Sequence, residues 1–221
     1  MSFLRHLMEK PWIATEQEWP AERAPRQSAA RLLASSTALN FFIAVASVLF
    51  FLLVISYAER MAFVDWRPAP PSGLLWQNTV MLVLASIAME WARYAAVRDQ
   101  IDRAKLGMLT GGVFTAAFVT GQIIAWRQLS GTVVFDVTNP AIAFFYLITG
   151  LHVIHILGGL VAWGVVLDRL WRSTDSVAIV RSVRLCARYW HFLLIVWLVL
   201  FGLLFSGNDN LKILLTICGI R

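Results

Sequence analysis

Long runs without a charged residue alternate with short charged segments along the chain. Four such runs hold 27, 21, 31 and 20 residues, at 32–58, 106–126, 137–167 and 189–208. A helix needs about 20 apolar residues to cross ~30 Å of hydrocarbon, so each run is long enough to span a membrane. A fifth run, 73–92, contains one acid, Glu90, near its end. The pattern predicts an all-α membrane bundle of five transmembrane helices, at about 36–58, 73–92, 106–126, 140–167 and 187–206.

The composition agrees with a membrane protein and excludes several other classes. Hydrophobic residues make up 59% of the chain and charged residues 14%, against about 45–50% and roughly 25% in soluble domains. A soluble enzyme and a disordered chain are therefore excluded. Two cysteines in 221 residues cannot form a disulfide scaffold. The net charge of +6 does not indicate nucleic-acid binding, because the basic residues lie between apolar runs and not along one face.

The basic residues are divided unequally between the two sides of the predicted bundle. Segments 1–35, 93–105 and 168–188 hold 14 Lys and Arg, whereas 58–75, 127–139 and 207–221 hold 5. Because cytoplasmic loops carry the excess of Lys and Arg, we expect a cytoplasmic N-terminus and an external C-terminus. Residues 1–35 are then a cytoplasmic arm, 36–206 the five-helix transmembrane domain, and 207–221 a short external tail.

Small residues recur at every fourth position of the third span. The stripes consist of Gly107, Gly111 and Thr115, of Gly112, Ala116 and Thr120, and of Ala117 and Gly121. Such stripes let membrane helices approach closely, although glycine is also simply more frequent in membrane helices than in soluble ones. We expect a contact face, within the bundle or against a partner, that contains Gly107, Gly111, Gly112, Gly121 and the adjacent Gln122.

Glu90 is an acid inside a predicted span. Intramembrane acids are costly and often functional, so a proton-handling role is one interpretation. Arg93 and Tyr94 follow at i+3 and i+4 on the same helical face, near the predicted cytoplasmic boundary. An interfacial ion pair between Glu90 and Arg93 explains the acid more simply, and we favour it.

Three histidines lie in the predicted spans and raise the question of a haem. His152 and His155 share a face of the fourth span, and His191 lies on the fifth. His155 is 13 residues, or ~20 Å of helix, from Asp168, whereas His191 is 3 residues, or ~5 Å, from Arg188, so their depths differ. The sequence has no C-x-x-C-H attachment motif. We expect that this chain binds no haem or metal and that all three histidines are hydrogen-bonded within the bundle. Hydrogen bonds of His155 and His191 should hold spans four and five together.

Two consecutive spans carry a family resemblance. The segments FFYLITGLHVIHILGG (144–159) and RYWHFLLIVWLVLF (188–201) resemble the last two helices of subunit III of the haem-copper terminal oxidases, with the pattern T-G-x-H-x-x-H-x-x-G-G and then Y-W-H-F. The second and third spans also resemble this family, so the likeness covers roughly residues 36–206. The residues that carry it are Thr149, Gly150, His152, His155, Gly158, Gly159, Tyr189, Trp190, His191, Phe192 and Trp197.

The chain departs from the longer members of that family. Those members have seven spans, an acid in the first helix that they share with this chain, and an aspartate just after W-H-F. In this chain the position of that acid aligns near Ser47, and 32–58 contains no acid. After W-H-F, Leu193 and Leu194 stand in place of the aspartate. The chain therefore resembles the five-helix branch, which includes quinol oxidase subunits and an accessory protein of nitric oxide reductase systems.

The resemblance implies a non-catalytic subunit III in the bacterial inner membrane, packed beside catalytic subunit I and the other subunits of an oxygen-reducing, proton-translocating complex. The resemblance also implies that haem and copper belong to the partner catalytic subunit. Family members hold phospholipid in a cleft, stabilise the catalytic subunit during turnover, and support proton uptake from the cytoplasmic side. The electron donor, cytochrome c or quinol, stays open.

Two alternatives stay open as well. One is an accessory role in a nitric oxide reductase system. The other is a small haem-binding cytochrome that uses His152 or His155 with His191. A transporter is disfavoured, because the spans contain one peripheral acid and no broken helix.

Overall fold

The computed structural model describes residues 23–61, 63, 66, 73–132, 140–172 and 176–205. Within these ranges the chain forms five helices: α1 (Arg23–Arg60), α2 (Leu74–Val97), α3 (Ile101–Thr132), α4 (Pro140–Arg172) and α5 (Ser176–Phe205). Each of them is long and apolar enough to cross a membrane. The prediction of an all-α protein with five transmembrane helices is therefore confirmed.

The helices extend beyond the predicted apolar spans. α1 already begins at Arg23, inside the predicted arm, and α5 begins at Ser176, 11 residues before the predicted span. A helix satisfies its own backbone hydrogen bonds in water as well as in lipid, so the helical backbone does not have to end where the hydrocarbon ends. Residues 1–22, most of the proline-rich connection after α1, and the tail from residue 206 lie outside the described residues.

The turn between α2 and α3 is built from the helix end itself. The Gln100 amide donates to the Ala95 carbonyl at 3.0 Å, and the Asp99 amide donates to the Ala96 carbonyl at 3.1 Å. Asp99 has a φ of 58°, the left-handed conformation that this type of helix end requires. The two helices are thereby joined by a very short connection and run antiparallel along each other.

The chain divides into two compact units, residues 1–40 and 41–221. In the second unit, α2 packs against α3 and α5, and α4 packs against the same two helices. These four helices therefore form a closed ring. Its interior holds large side chains that are completely buried, among them Trp190, Trp197, Phe118, Leu82 and Met89.

The part of α1 in this unit packs on the ring through a cluster of apolar side chains. Phe50, Tyr57 and Ala58 of α1 meet residues of α4 and α5, including Ile148 and Leu200. Tyr57 also stands edge-on to Trp66 and to Phe144, with ring centroids 4.9 and 5.9 Å apart. Other side chains of α1, such as Phe41 and Phe51, are exposed, as expected of a helix that faces lipid or another chain.

Candidate functional site

Three of the four glycines predicted to form a contact face touch α2. A Cβ atom on Gly107 would lie 2.9 Å from Ala92 Cβ and 3.0 Å from its Cα, and one on Gly111 would lie 2.7 Å from Met89 Cε. A Cβ on Gly121 would collide with the Asn78 side chain, and one on Gly112 would collide with the Trp163 ring of α4. Carbon atoms pack at about 3.5–4.0 Å, so these positions have no room for a side chain. α3 thus lies close to both neighbours because its contact residues are small.

The predicted stripes are only partly enclosed. Gly107, Gly111 and Thr115 are all buried, whereas Ala116, Ala117 and Thr120 are exposed. The exposed residues of α3 recur with the helical period. The rest of its surface contacts α2, α4 and α5.

Buried amides join α2 to α3 beside Gly121. Asn78 Nδ2 donates to Gln122 Oε1 at 3.1 Å, and both side chains are buried. The short approach at Gly121 brings these two side chains into range. The Gln122 Nε2 group is buried and makes no hydrogen bond.

Tryptophan side chains donate hydrogen bonds between three pairs of these helices: α2 and α5, α3 and α4, and, across the ring, α3 and α5. Trp197 donates to Thr79 Oγ1 at 2.9 Å, and Trp190 donates to Thr115 Oγ1 at 2.8 Å. Trp126 donates to Thr149 Oγ1 at 3.0 Å, and Trp163 donates to the Met108 carbonyl at 3.0 Å. Each threonine hydroxyl donates in turn to the carbonyl four residues earlier, as in Thr79 to Leu75 and Thr115 to Gly111.

Tryptophan is typical of the membrane interface, so the sequence does not predict these bonds. Trp190 and Trp197 are instead completely buried. The threonines inside the apolar spans were the signal, since a buried indole N–H needs an acceptor and lipid supplies none.

Glu90 lies between Arg93 and His191. Arg93 Nε lies 2.9 and 3.0 Å from the two carboxylate oxygens, and Arg93 Nη2 also bonds Oε1. His191 Nε2 is 3.1 Å from Glu90 Oε2, and His191 Nδ1 is 2.5 Å from Ser86 Oγ. The ion pair expected from the sequence is present, and α5 contributes a histidine that the sequence did not connect to it. We call Ser86, Glu90, Arg93 and His191 the Glu90 site.

The expectation that His155 and His191 hold spans four and five together is wrong. His191 bonds α2, because its ring points at Ser86 and Glu90. His155 Nδ1 donates to Leu151 of its own helix at 2.8 Å. A bond between α4 and α5 is instead made by Tyr189, whose hydroxyl donates to the His155 carbonyl at 2.9 Å.

His152 also differs from the hydrogen-bonded histidine that we expected. It is completely buried, and neither ring nitrogen has a hydrogen-bond partner. Its ring stacks on Trp197, with centroids 5.3 Å apart and an interplanar angle of 28°, and contacts the edges of Phe118 and Phe50. His152 therefore acts as an aromatic core residue at the centre of the ring.

Some of the other motif residues pack against neighbouring helices. Gly159 lies where a Cβ would come within 2.6 Å of the Tyr189 ring, whereas Gly150 and Gly158 have no neighbouring atom within 4 Å of that position. Phe192 packs against the α1 cluster. Thr149 is buried and accepts the Trp126 bond.

The three membrane histidines contact different groups, although His152 and His155 share the Phe50 ring. His152 is enclosed by rings, His155 contacts Phe42 and Phe50, and both nitrogens of His191 are engaged at the Glu90 site. Among the described residues, no three His, Cys, Asp or Glu side chains come together as a metal site would need. Cys186 is a buried free thiol, and Cys218 lies outside the described residues. Several of the described motif residues, such as Gly159, Tyr189 and Trp197, form contacts between helices.

Several known proteins are similar to this chain over about two thirds or more of its length. The chain is 30% identical over 154 residues to the probable cytochrome c oxidase subunit 3 of Mycobacterium bovis. This alignment covers 67% of the chain and 74% of the relative. The chain is 32% identical over 177 residues to cytochrome c oxidase subunit 3 of Synechocystis sp., and this alignment covers 74% of the chain and 72% of the relative. The probable subunit 3 of Nocardia farcinica is 28% identical over 153 residues, with 67% and 74% covered.

A family model described as cytochrome c oxidase subunit III matches residues 37–207. This range encloses most of α1 and all of α2 to α5, so it contains every helix contact described above. The resemblance seen in the sequence is confirmed. The chain is a multi-pass membrane protein that belongs to the cytochrome c oxidase subunit III family.

Proposed function

We propose that the chain is the non-catalytic subunit III of a haem-copper terminal oxidase of aerobic respiration. In this role it packs beside catalytic subunit I in the bacterial inner membrane, with its N-terminus in the cytoplasm. It stabilises subunit I during oxygen reduction coupled to proton translocation. The observation that carries the proposal is the family match, which spans the whole five-helix region.

The small number of histidines in the chain supports a non-catalytic role. The chain has four histidines, of which His6 lies outside the predicted spans. A catalytic haem-copper subunit needs roughly six histidine ligands for two haems and a copper. Haem and copper are therefore assigned to the partner subunit. Nothing in this chain would then transfer electrons, and its contribution to the complex is packing.

The construction of the bundle supports a stabilising role. The glycine contacts of α3 and the tryptophan bonds fix four helices against one another without relying on the hydrophobic effect, which does not drive helix association in lipid. A rigid neighbour of this kind restricts the movements of the helices it touches. The exposed apolar side chains of α1, such as Phe41, Val48 and Phe51, offer surface for lipid or for a further subunit.

The proposal is tested by purifying the complex through an affinity tag on this chain. We expect a catalytic subunit to co-purify, with a haem spectrum and oxygen consumption. The isolated chain should show no Soret band and no stoichiometric iron or copper. A complex that reduces nitric oxide and consumes no oxygen would overturn the assignment, and so would a haem that stays with the isolated chain and is lost in His155→Ala or His191→Ala.

A further inference from the structure

His155 lies in the seam between α1 and α4, at the surface of the bundle. Its ring centroid is 6.0 Å from that of Phe42 and 5.1 Å from that of Phe50, both on α1. His155 is partly exposed, and Phe42 is 48% exposed, whereas Phe50 is buried. The histidine is therefore held by α1 on one side and is open to the surroundings of the bundle on the other.

This position is close to the middle of the membrane. His155 is 13 residues, or ~20 Å, from Asp168, and 15 residues, or ~22 Å, from Pro140, where α4 begins. The hydrocarbon core of a bilayer is ~30 Å thick, so the headgroups on both sides are out of reach of the His155 ring. Acyl chains carry no N–H or O–H group, and the hydrocarbon contains no water. Lipid therefore supplies no hydrogen-bond donor at this depth.

The bond to Leu151 fixes the proton of the His155 ring. A carbonyl oxygen can only accept, so Nδ1, which lies 2.8 Å from it, carries the proton. The ring is neutral, because a charge is costly inside the hydrocarbon, and Nε2 is then an acceptor. Within the described part of the chain no group donates to Nε2, and this atom is not fully buried. His155 thus presents an acceptor that neither this part of the chain nor lipid satisfies.

The surface next to His155 has room for a neighbouring helix. Gly158 follows 3 residues later on α4 and is exposed, and no described atom lies within 4 Å of its Cβ position. Ile154, one turn before Gly158, is 63% exposed. A helix that crosses at a glycine comes close, so that a polar side chain on it can bond across the contact.

We propose that Phe42, Ile154, His155 and Gly158, which we call the His155 surface, dock a transmembrane helix of another subunit. A Ser, Thr, Tyr, Trp, Asn or Gln side chain of that helix donates its O–H or N–H group to His155 Nε2. Because it needs a partner subunit, this contact rests on the proposed function. The contact assigns one face of the chain to the partner and one chemical group to its recognition.

The first test measures the association constant, in detergent, between the tagged full chain and the rest of the complex with which it purifies. His155→Leu should lower this constant about 3- to 20-fold, the range expected of one interhelical hydrogen bond in a membrane. His155→Gln should keep it within about twofold of the wild-type value, because the glutamine side chain can place an acceptor oxygen where Nε2 lies. The shorter His155→Asn reaches only the position of Nδ1 and should behave like the leucine variant.

Gly158→Leu is a second variant, and it leaves the histidine in place. It should not lower the stability of the isolated chain against SDS, since its Cβ position has no described neighbour within 4 Å. In the complex it should lower the association constant about fivefold or more, because the new side chain occupies the place of the partner helix. An unchanged association constant in Gly158→Leu would overturn the docking surface.

A third measurement identifies what touches this surface. With a photoreactive phenylalanine analogue in place of Phe42, we expect a cross-link to a transmembrane segment of another subunit that carries a donor side chain. Cross-links to lipid alone, or only within this chain, would overturn the proposal, and so would equal association constants for His155→Leu and His155→Gln. Unchanged association in these variants would refute the His155 contact alone, whereas the absence of any co-purifying subunit would defeat the proposed function with it.

Discussion

Replacing Gly107 by alanine should push α2 and α3 apart. The new methyl carbon would lie 2.9–3.0 Å from Cβ, Cα and N of Ala92, about 0.5–1 Å closer than carbon atoms pack. Ala92 cannot turn away, because two of these three atoms are backbone. Overpacking of this kind costs about 1–3 kcal/mol in well-packed cores. In the same helix, alanine gains roughly 0.5–1 kcal/mol over glycine in conformational entropy.

Gly158→Ala is the matched control, since nothing lies within 4 Å of its Cβ position. Both variants share the entropy gain, so the difference between them isolates the packing cost of ~1–3 kcal/mol. Gly111→Ala should fall between them, because it meets the flexible end of Met89. The assay is reversible unfolding of the purified chain in mixed micelles with increasing SDS. If Gly107→Ala and Gly158→Ala unfolded at the same SDS fraction, the close contact of α2 and α3 would not carry stability and the reasoning would be refuted.

Three further predictions follow from the helix contacts and the charge pattern. Trp197→Phe should lower the free energy of unfolding, and ~0.6–1.7 kcal/mol of the loss should come from its bond to Thr79. The loss in the double variant with Thr79→Ala should therefore be smaller than the sum of the two single losses, and additive losses would contradict the bond. Thr120→Ala, which removes an exposed hydroxyl bonded within its own helix, should change little. His191→Ala should weaken the α2–α5 contact by a similar amount while oxygen consumption continues in the assembled complex; an assembled complex without turnover would reveal chemistry at this histidine. A periplasmic reporter fused after residue 221 should be active, because 14 of 19 basic residues lie on the other side; activity of a cytoplasmic reporter alone would reverse the topology.

The sequence contained most of the fold because lipid imposes simple rules. A charge-free run of 20 residues or more has few alternatives to a spanning helix, so α1, α3, α4 and α5 could be predicted from Asp, Glu, Lys and Arg alone. The ends of the helices were harder to predict from the sequence. α5 begins at Ser176 and continues through a segment that contains arginines, so the apolar run alone does not show where this helix starts.

The partners of polar side chains could not be predicted, since they depend on how helices rotate about their axes. Spacing placed Glu90 near Arg93, because both lie on one helix. It could not bring His191 of α5 to the same carboxylate, 101 positions away. His152 shows the opposite error, because a motif histidine was expected to form hydrogen bonds and instead stacks among aromatic rings.

The most direct test of the account is the lifetime of oxygen consumption by the complex with and without this chain. Complexes are purified from cells that carry or lack it, and the haem spectrum, initial rate and decay of the rate during sustained turnover are compared. We predict an intact haem spectrum, a retained initial rate and faster decay when the chain is absent, because a packing subunit protects the catalytic site without forming it. An unchanged lifetime would contradict the protective role, and immediate loss of the haem spectrum would show that this chain helps to build the site.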